Sequence, residues 1–239
     1  MNISCVVTAH RELHLIYPTL KSVFRSVDYA KQYGISTEII VTLDKSDETT
    51  SEIVSRELQG KGKIERVDYG DLALSRNHAV DVAKGSYIAF LDADDLWGEN
   101  WITNAFFLSE GREEEIVCHP QYCIYFGQTQ YIFEHIDMES RQFVPDFLYY
   151  TNYWTALSFG KVETYKKFPY MKNEIEKGFG YEDWTWNVET VKNGILHKTV
   201  PGTAHAIRRG KTDLSLLDKT NMRTTVPRIY PMYRRSKAA

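Results

Sequence analysis

Cysteine is scarce in this chain: 239 residues carry three, Cys5, Cys118 and Cys123. So few, and an odd number, exclude a disulfide scaffold and read as reduced thiols of a cytosolic protein. Cys118 and Cys123 are not spaced as in a zinc knuckle, and no second pair accompanies them. Long apolar runs are missing, so no stretch reads as a membrane span. Residues 1–5 enter an apolar strand directly, which predicts no signal peptide. An excess of positive charge is missing too. The net charge of −3 argues against a nucleic-acid-binding domain. There is no internal repeat and no low-complexity segment. A Gly-x-Gly-x-x-Gly after the first strand and a Gly-Lys-Ser/Thr loop are both absent, which disfavours a dinucleotide-binding fold and a P-loop NTPase.

What is present is regular alternation. Residues 3–8 form an apolar strand. Leu20, Val23, Phe24, Val27 and Ala30 then follow helical spacing, with Pro18 near the start and Gly34 at the stop. Residues 38–43 predict a second strand that ends at Asp44, and Asp47 to Thr50 offer a cap for a second helix bearing Ile53, Val54 and Leu58. Residues 63–69 give a weaker third strand, and residues 74–83 a helix closed by Gly85. Four such alternations in under 100 residues are the signature of βαβ units and a mostly parallel sheet.

The organising stretch is 85–95. A short apolar run, Tyr87 to Leu91, ends in three carboxylates, Asp92, Asp94 and Asp95. Ligands of open α/β sheets sit beyond the carboxyl ends of the strands. Carboxylates placed there suit a hard divalent cation that in turn holds phosphate oxygens. Other strand ends are polar as well: His10-Arg11-Glu12 after the first and Asp44 after the second, with Ser75-Arg76-Asn77 opening the helix before the fourth. Each alone is an ordinary loop; together they suit a nucleotide.

The set Val6-Val7-Thr8-Ala9-His10, Ile40-Val41-Thr42-Leu43-Asp44, Leu74-Ser75-Arg76-Asn77 and Phe90-Leu91-Asp92-Ala93-Asp94-Asp95 resembles glycosyltransferase family 2. The resemblance implies a single GT-A domain of α/β class, with a mostly parallel Rossmann-like sheet flanked by helices and a mixed C-terminal, acceptor-side portion. On that reading residues 1–110 are the nucleotide-sugar half, 111–218 the acceptor-binding and catalytic half, and 219–239 a basic tail. It implies inverting transfer of a sugar from a nucleotide-diphospho-sugar, with a UDP-sugar as the expected donor and Mn²⁺ or Mg²⁺ on the diphosphate. Thr8, Ala9 and Glu12 would line the nucleoside pocket and Asp44 would accept a hydrogen bond from the base. Arg76 would approach the base or diphosphate. Asp92 would contact ribose or a metal-bound water, and Asp94 the metal itself. Asp95 is expected to cap the next helix, whose Trp97, Trp101, Ala105 and Leu108 read as core packing. The family usually has a Tyr or similar residue where His10 stands.

The second half reads less clearly. Residues 117–126 and 128–133 alternate around Gly127 as a hairpin would. The aromatic run 149–154 is either a core cluster or a surface that stacks on acceptor sugar rings. Gly178-Phe179-Gly180-Tyr181-Glu182-Asp183 leads into a helix. Glu-Asp there is ordinary capping on its own; beside the other motifs it matches the family's Glu-Asp pair. The match implies Asp183 as the general base that deprotonates the acceptor hydroxyl, with Glu182 binding the acceptor or orienting the loop. After a strand at 195–200, His205 stands where metal-dependent enzymes of this fold often complete the metal site. Arg208 and Arg209, in a loop hinged at Gly210, would offset the charge of the leaving diphosphate. From Lys219 onward come six basic residues and no acidic one: Lys219, Arg223, Arg228, Arg234, Arg235 and Lys237. They make either a solvated tail or a weak anchor at the inner face of an anionic membrane carrying a lipid-linked saccharide. The rival readings are a nucleotidyltransferase, which lacks its Gly- and Lys-containing signature here, and a non-catalytic nucleotide- or sugar-binding module.

Overall fold

The computed structural model describes residues 1–210, 223 and 225–229. The strands β1 (Ile3–Ala9), β2 (Thr37–Asp44), β3 (Lys63–Val67) and β4 (Tyr87–Asp92) run parallel in the order β3-β2-β1-β4. The helices α1 (Ile16–Gln32), α2 (Glu48–Leu58) and α3 (Leu72–Val82) make the crossovers. Asp47 caps α2 by accepting from the N–H of Thr50, and Asp71 caps α3 by accepting from that of Leu74.

The second half adds β5 (Leu96–Trp97), α4 (Trp101–Glu110), β6 (Ile116–Gly127), β7 (Tyr131–Glu134), β8 (Phe159–Lys161), α5 (Val162–Lys167), α6 (Glu182–Lys192) and β9 (Leu196–Arg209). The sheet continues from β4 as β8-β6-β9-β5, with β7 paired to β6. The short β8 is antiparallel to both β4 and β6, while β6 and β9 run parallel. The result is the α/β architecture with a mixed C-terminal portion that the family resemblance implies.

Strand parity decides what each face of the sheet meets. Ile3, Cys5 and Val7 of β1 and Tyr87, Ala89 and Leu91 of β4 share one core with Leu20 and Val23 of α1 and Trp101 of α4. Val6, Ile88 and Phe90 face the other way, against Ala79 and Val80 of α3, Tyr165 of α5 and Trp186 of α6. Thr8 and Asp92 continue that second parity, as Asp44 does after Ile40 in β2. All three are thereby aimed toward the helices α3 and α6.

Three expectations change. Helix α4 begins at Trp101 and not at Asp95, because residues 96–98 pair with β9 instead: Leu96 lies opposite Ala206, and Gly98 N–H donates to the Ala204 carbonyl. Asp95 caps no helix; its Oδ1 accepts from the Arg208 N–H at 2.8 Å. The last strand does not stop at residue 200. It passes Pro201-Gly202, where its register with β6 shifts between Pro120 and Tyr122, and stays paired to β6 as far as Arg209 opposite Gly127. A Pro-Gly pair that reads as a terminator is here a bulge.

Of the basic tail, Lys219, Arg234, Arg235 and Lys237 lie outside the described residues. Arg223 and Arg228 are ion-paired to Glu176 and Glu174 respectively. Val226 exchanges backbone hydrogen bonds with Gly178 and Gly180, and the Arg228 guanidinium lies over the Phe179 ring at 4.8 Å. This part of the tail straps the loop that leads into α6. Among the described residues, no helix is long and apolar enough to cross a membrane.

Candidate active site

The carboxyl ends of the parallel strands are brought level by register: Thr8 lies opposite both Thr42 and Asp92. Thr8 Oγ1 donates to Asp92 Oδ1 at 3.0 Å, and the Ala93 N–H donates to the Thr8 carbonyl. Ala9 is buried beside them at the strand end. Glu12 turns back to accept the His10 N–H at 2.6 Å, and His10 Nδ1 sits 2.5 Å from the Asp44 carbonyl oxygen.

Asp44 is buried, and its carboxylate clasps the loop before α3. Oδ1 accepts from the Gly70 N–H at 2.8 Å; Oδ2 accepts from the Asp71 N–H at 3.0 Å and from Ser75 Oγ at 2.7 Å. Three donors already occupy the residue expected to meet a nucleoside base. Asp44 orders the backbone of the loop that leads into α3.

Arg76 departs furthest from expectation. Its side chain has no exposed surface, so it does not present itself to a diphosphate. Nη2 donates to Asp92 Oδ1 at 2.9 Å and Nη1 to Glu182 Oε1 at 2.8 Å. Burial alone would disfavour its charge; the carboxylates of Asp92 and Glu182 outweigh that and push its pKa up. Arg76 is a buried bridge between the end of β4 and the start of α6.

At that start the backbone is strained. Tyr181 adopts φ 56°, ψ 57°, a left-handed conformation uncommon outside glycine. The turn delivers Glu182, which is buried on Arg76, and then Asp183, which keeps partial exposure. Burial first, and the neighbouring Glu182 carboxylate second, push the Asp183 carboxyl up to about 7, with Arg76 opposing. Asn152 Nδ2 donates to Asp183 Oδ2 at 3.1 Å. Asn152 escaped the sequence reading because no motif marks it; only the aromatic run around it stood out.

Asp94 and Asp95 follow β4 in a tight turn, both buried. Arg208 reaches this turn from β9, with Nε 3.4 Å from the Asp94 carbonyl oxygen. Its guanidinium lies 4.5 Å from the Phe126 ring centroid, and that of Arg209 4.6 Å from the Tyr125 centroid. Both arginines end a paired strand; they do not ride a hinged loop.

His205 does not join Asp94. It lies inside β9 opposite Trp97, fully buried, edge-on to the Trp101 ring at 4.8 Å. Among the described residues, neither ring nitrogen has a hydrogen-bond partner. Among the described residues, no three His, Cys, Asp or Glu side chains converge as a metal site. The carboxylate oxygens at the end of β4 are the donor type a hard cation takes; the imidazole is packed in the core.

The curled, largely parallel sheet with carboxylates at its carboxyl edge defines the chain as a GT-A-like protein. A structure of S. aureus TarS 1–349 in complex with UDP-GlcNAc superposes with a TM-score of 0.69 at 18% identity, over 89% of this chain and 60% of that one. A mannosyltransferase from Pyrobaculum calidifontis, PcManGT, in complex with GDP-Man and Mn²⁺, gives 0.61 at 14% identity, over 88% and 58%. The sequence model of glycosyl transferase family 2 matches residues 4–172. The chain belongs to that family. An Escherichia coli relative, the UDP-Glc:alpha-D-GlcNAc-diphosphoundecaprenol beta-1,3-glucosyltransferase WfaP, is 31% identical over 109 residues, which are 45% of this chain and 41% of that protein.

Proposed function

We propose that this protein is an inverting glycosyltransferase that moves a sugar from a nucleotide-diphospho-sugar to a hydroxyl of a saccharide or lipid-linked saccharide. The observation that supports the reading is the Asp92–Arg76–Glu182 bridge, which ties the first turn of α6, where Asp183 follows Glu182, to the strand end where the donor is expected. A base whose pKa lies near the working pH accepts a proton most effectively, and Asp183 is held at about 7.

In the step proposed, the acceptor hydroxyl gives its proton to an Asp183 carboxylate oxygen as its own oxygen bonds to the anomeric carbon. The bond from that carbon to the diphosphate oxygen breaks on the opposite face, and the nucleoside diphosphate leaves with the electron pair. One displacement inverts the centre, and no covalent sugar–enzyme intermediate is needed. Thr8, Ala9 and Glu12 border the nucleoside, and Asp92 orients the ribose side. Arg208 and Arg209 supply positive charge near the diphosphate. Asp94 would hold a divalent metal, which when bound neutralises charge on the leaving group. A UDP-sugar is the expected donor, in keeping with the UDP-GlcNAc complex of TarS. An acceptor linked to lipid is in keeping with the E. coli relative, whose name carries a diphosphoundecaprenol-linked GlcNAc; on this reading the work belongs to surface polysaccharide assembly at the inner face of the membrane.

The test is Asp183→Asn. Transfer should fall ~10²–10⁴-fold while calorimetry finds donor affinity within about twofold of the unaltered chain. Turnover that survives the substitution would remove Asp183 as the base.

A further inference from the structure

The side chain that touches the proposed base is itself held by a second amide on the same helix. Asn152 Oδ1 accepts from Asn187 Nδ2 at 2.9 Å and from the Trp154 N–H at 3.4 Å. Both groups are donors, so the oxygen end of the Asn152 amide is the end that faces them. The amino end is left pointing at Asp183 Oδ2. Asn187 stands one helical turn after Asp183 and is 2% exposed. Helix α6 thus carries both the base and the group that orients the base's partner.

The loop bearing Asn152 is also fixed. Trp154 is 2% exposed, and its Nε1–H donates to the Ile136 carbonyl at 2.7 Å. The Thr155 N–H donates to His135 Nε2 at 3.1 Å, and Tyr153 OH to the Val144 carbonyl at 3.1 Å. From the other side, Trp184 Nε1–H donates to the Leu148 carbonyl at 2.7 Å, tying the 3₁₀ turn Pro145–Tyr149 to the first turn of α6.

We propose that Asn152, aimed by Asn187, is the positioning residue of the base: it holds Asp183 Oδ2 and so sets how the carboxylate meets the acceptor hydroxyl. The proposal rests on the reading of Asp183 as base. An amide suits the task because it donates a hydrogen bond to a carboxylate and has no proton to exchange in the relevant range. The ionisable groups around Asp183 are Glu182 and Tyr181 beside it, Arg76 from α3, Asp92 from β4 and Tyr170 after α5. Of these, the carboxylates favour its protonated form. Arg76 favours the ionised form, as the Trp184 backbone N–H and the N–H from Asn152 do.

The experiment reads Asp183 directly, without substrate. The ¹³C-carboxyl resonance of Asp183, assigned by its loss in Asp183→Asn, is titrated in the full chain and in Asn152→Ala and Asn152→Asp. Losing a hydrogen bond to the charged form should raise the midpoint by about one pH unit in Asn152→Ala. Asn152→Asp, which adds a like charge, should raise it further. Asn187→Leu should move it the same way, because the Asn152 amide is then free to turn its oxygen toward the carboxylate. If Asn152→Ala does not fold, Asn152→Ser, too short to reach Asp183, takes its place. An unchanged midpoint in the folded variant overturns the role of Asn152 and leaves the base reading standing. Transfer that survives Asp183→Asn overturns the base reading and the proposal with it.

Discussion

Arg76 Nη1 lies 2.8 Å from Glu182 Oε1, in a contact that spans 106 positions of sequence and has no exposed guanidinium surface. The same guanidinium holds Asp92. Removing one partner of a buried ion pair strands the other without solvent, a cost of ~3–5 kcal/mol. Arg76→Met should therefore lower stability by about that amount in denaturant unfolding, at unchanged slope. Arg76→Lys should recover part of the loss, since an ammonium group keeps the charge and lacks the planar fork that reaches two carboxylates at once. An unfolding midpoint in Arg76→Met equal to that of the unaltered chain would show that the bridge contributes nothing.

Asp44 serves three donors, two of them backbone N–H groups of Gly70 and Asp71. Asp44→Asn converts one acceptor oxygen into a donor that faces another N–H, and should cost ~1–3 kcal/mol. Because the loop it orders borders the strand ends, donor affinity should fall along with stability. If affinity falls while the unfolding midpoint holds, Asp44 contacts the nucleotide itself, as the family resemblance implied.

The parallel half was legible because its residues obey simple periods. Asp47 was legible as a cap, and the apolar run from Tyr87 to Leu91 as a buried strand. The polar strand ends followed from that alone; the roles expected of their residues came from the family resemblance. What the sequence did not show is which polar groups satisfy one another. Arg76 and Glu182 meet only because α3 and α6 cover the same face of the sheet, a relation of the folded chain and not of any window of residues. The extension of β9 past Pro201-Gly202 was hidden for a related reason. Its pairing with β6 overrides a local signal that on its own says stop.

Acid should weaken the fold. His119, His135, His197 and His205 are all buried. Burial holds His135 down to about 4 and His197 down to about 3, and pushes His119 and His205 well below the ordinary 6.5. Below 6.5 the unfolded chain binds protons that the folded chain refuses, so each histidine subtracts up to ~1.4 kcal/mol per pH unit. The loss begins as pH falls through 6.5, and the His135 contribution is complete near 4. Asp183 works against this. Its raised pKa lets the folded chain hold a proton that the unfolded chain releases above 3.8, which stabilises at low pH and is lost as pH rises through about 7. Four sites against one give a net fall, which thermal unfolding from pH 7 down to about pH 5 would record. A flat melting temperature over that interval contradicts the buried, neutral imidazoles.

His205 supplies the sharpest contrast between a resemblance and a packed side chain. Both of its ring nitrogens are buried without a hydrogen-bond partner among the described residues, and Trp101 meets the ring edge-on. A buried polar atom left unsatisfied costs ~1–3 kcal/mol, and replacing it with an apolar group of similar size removes that cost. His205→Leu should therefore leave stability unchanged or raise it. A metal-ligand histidine gives the opposite pattern: its loss weakens the metal by ~10–100-fold or more. Titration of Mn²⁺ in the presence of UDP, read beside the melting temperature, separates the two. Equal Mn²⁺ affinity with an equal or higher melting temperature places His205 in the core. A large loss of Mn²⁺ affinity in a fully folded variant would mean that the strand opens to let the imidazole reach Asp94.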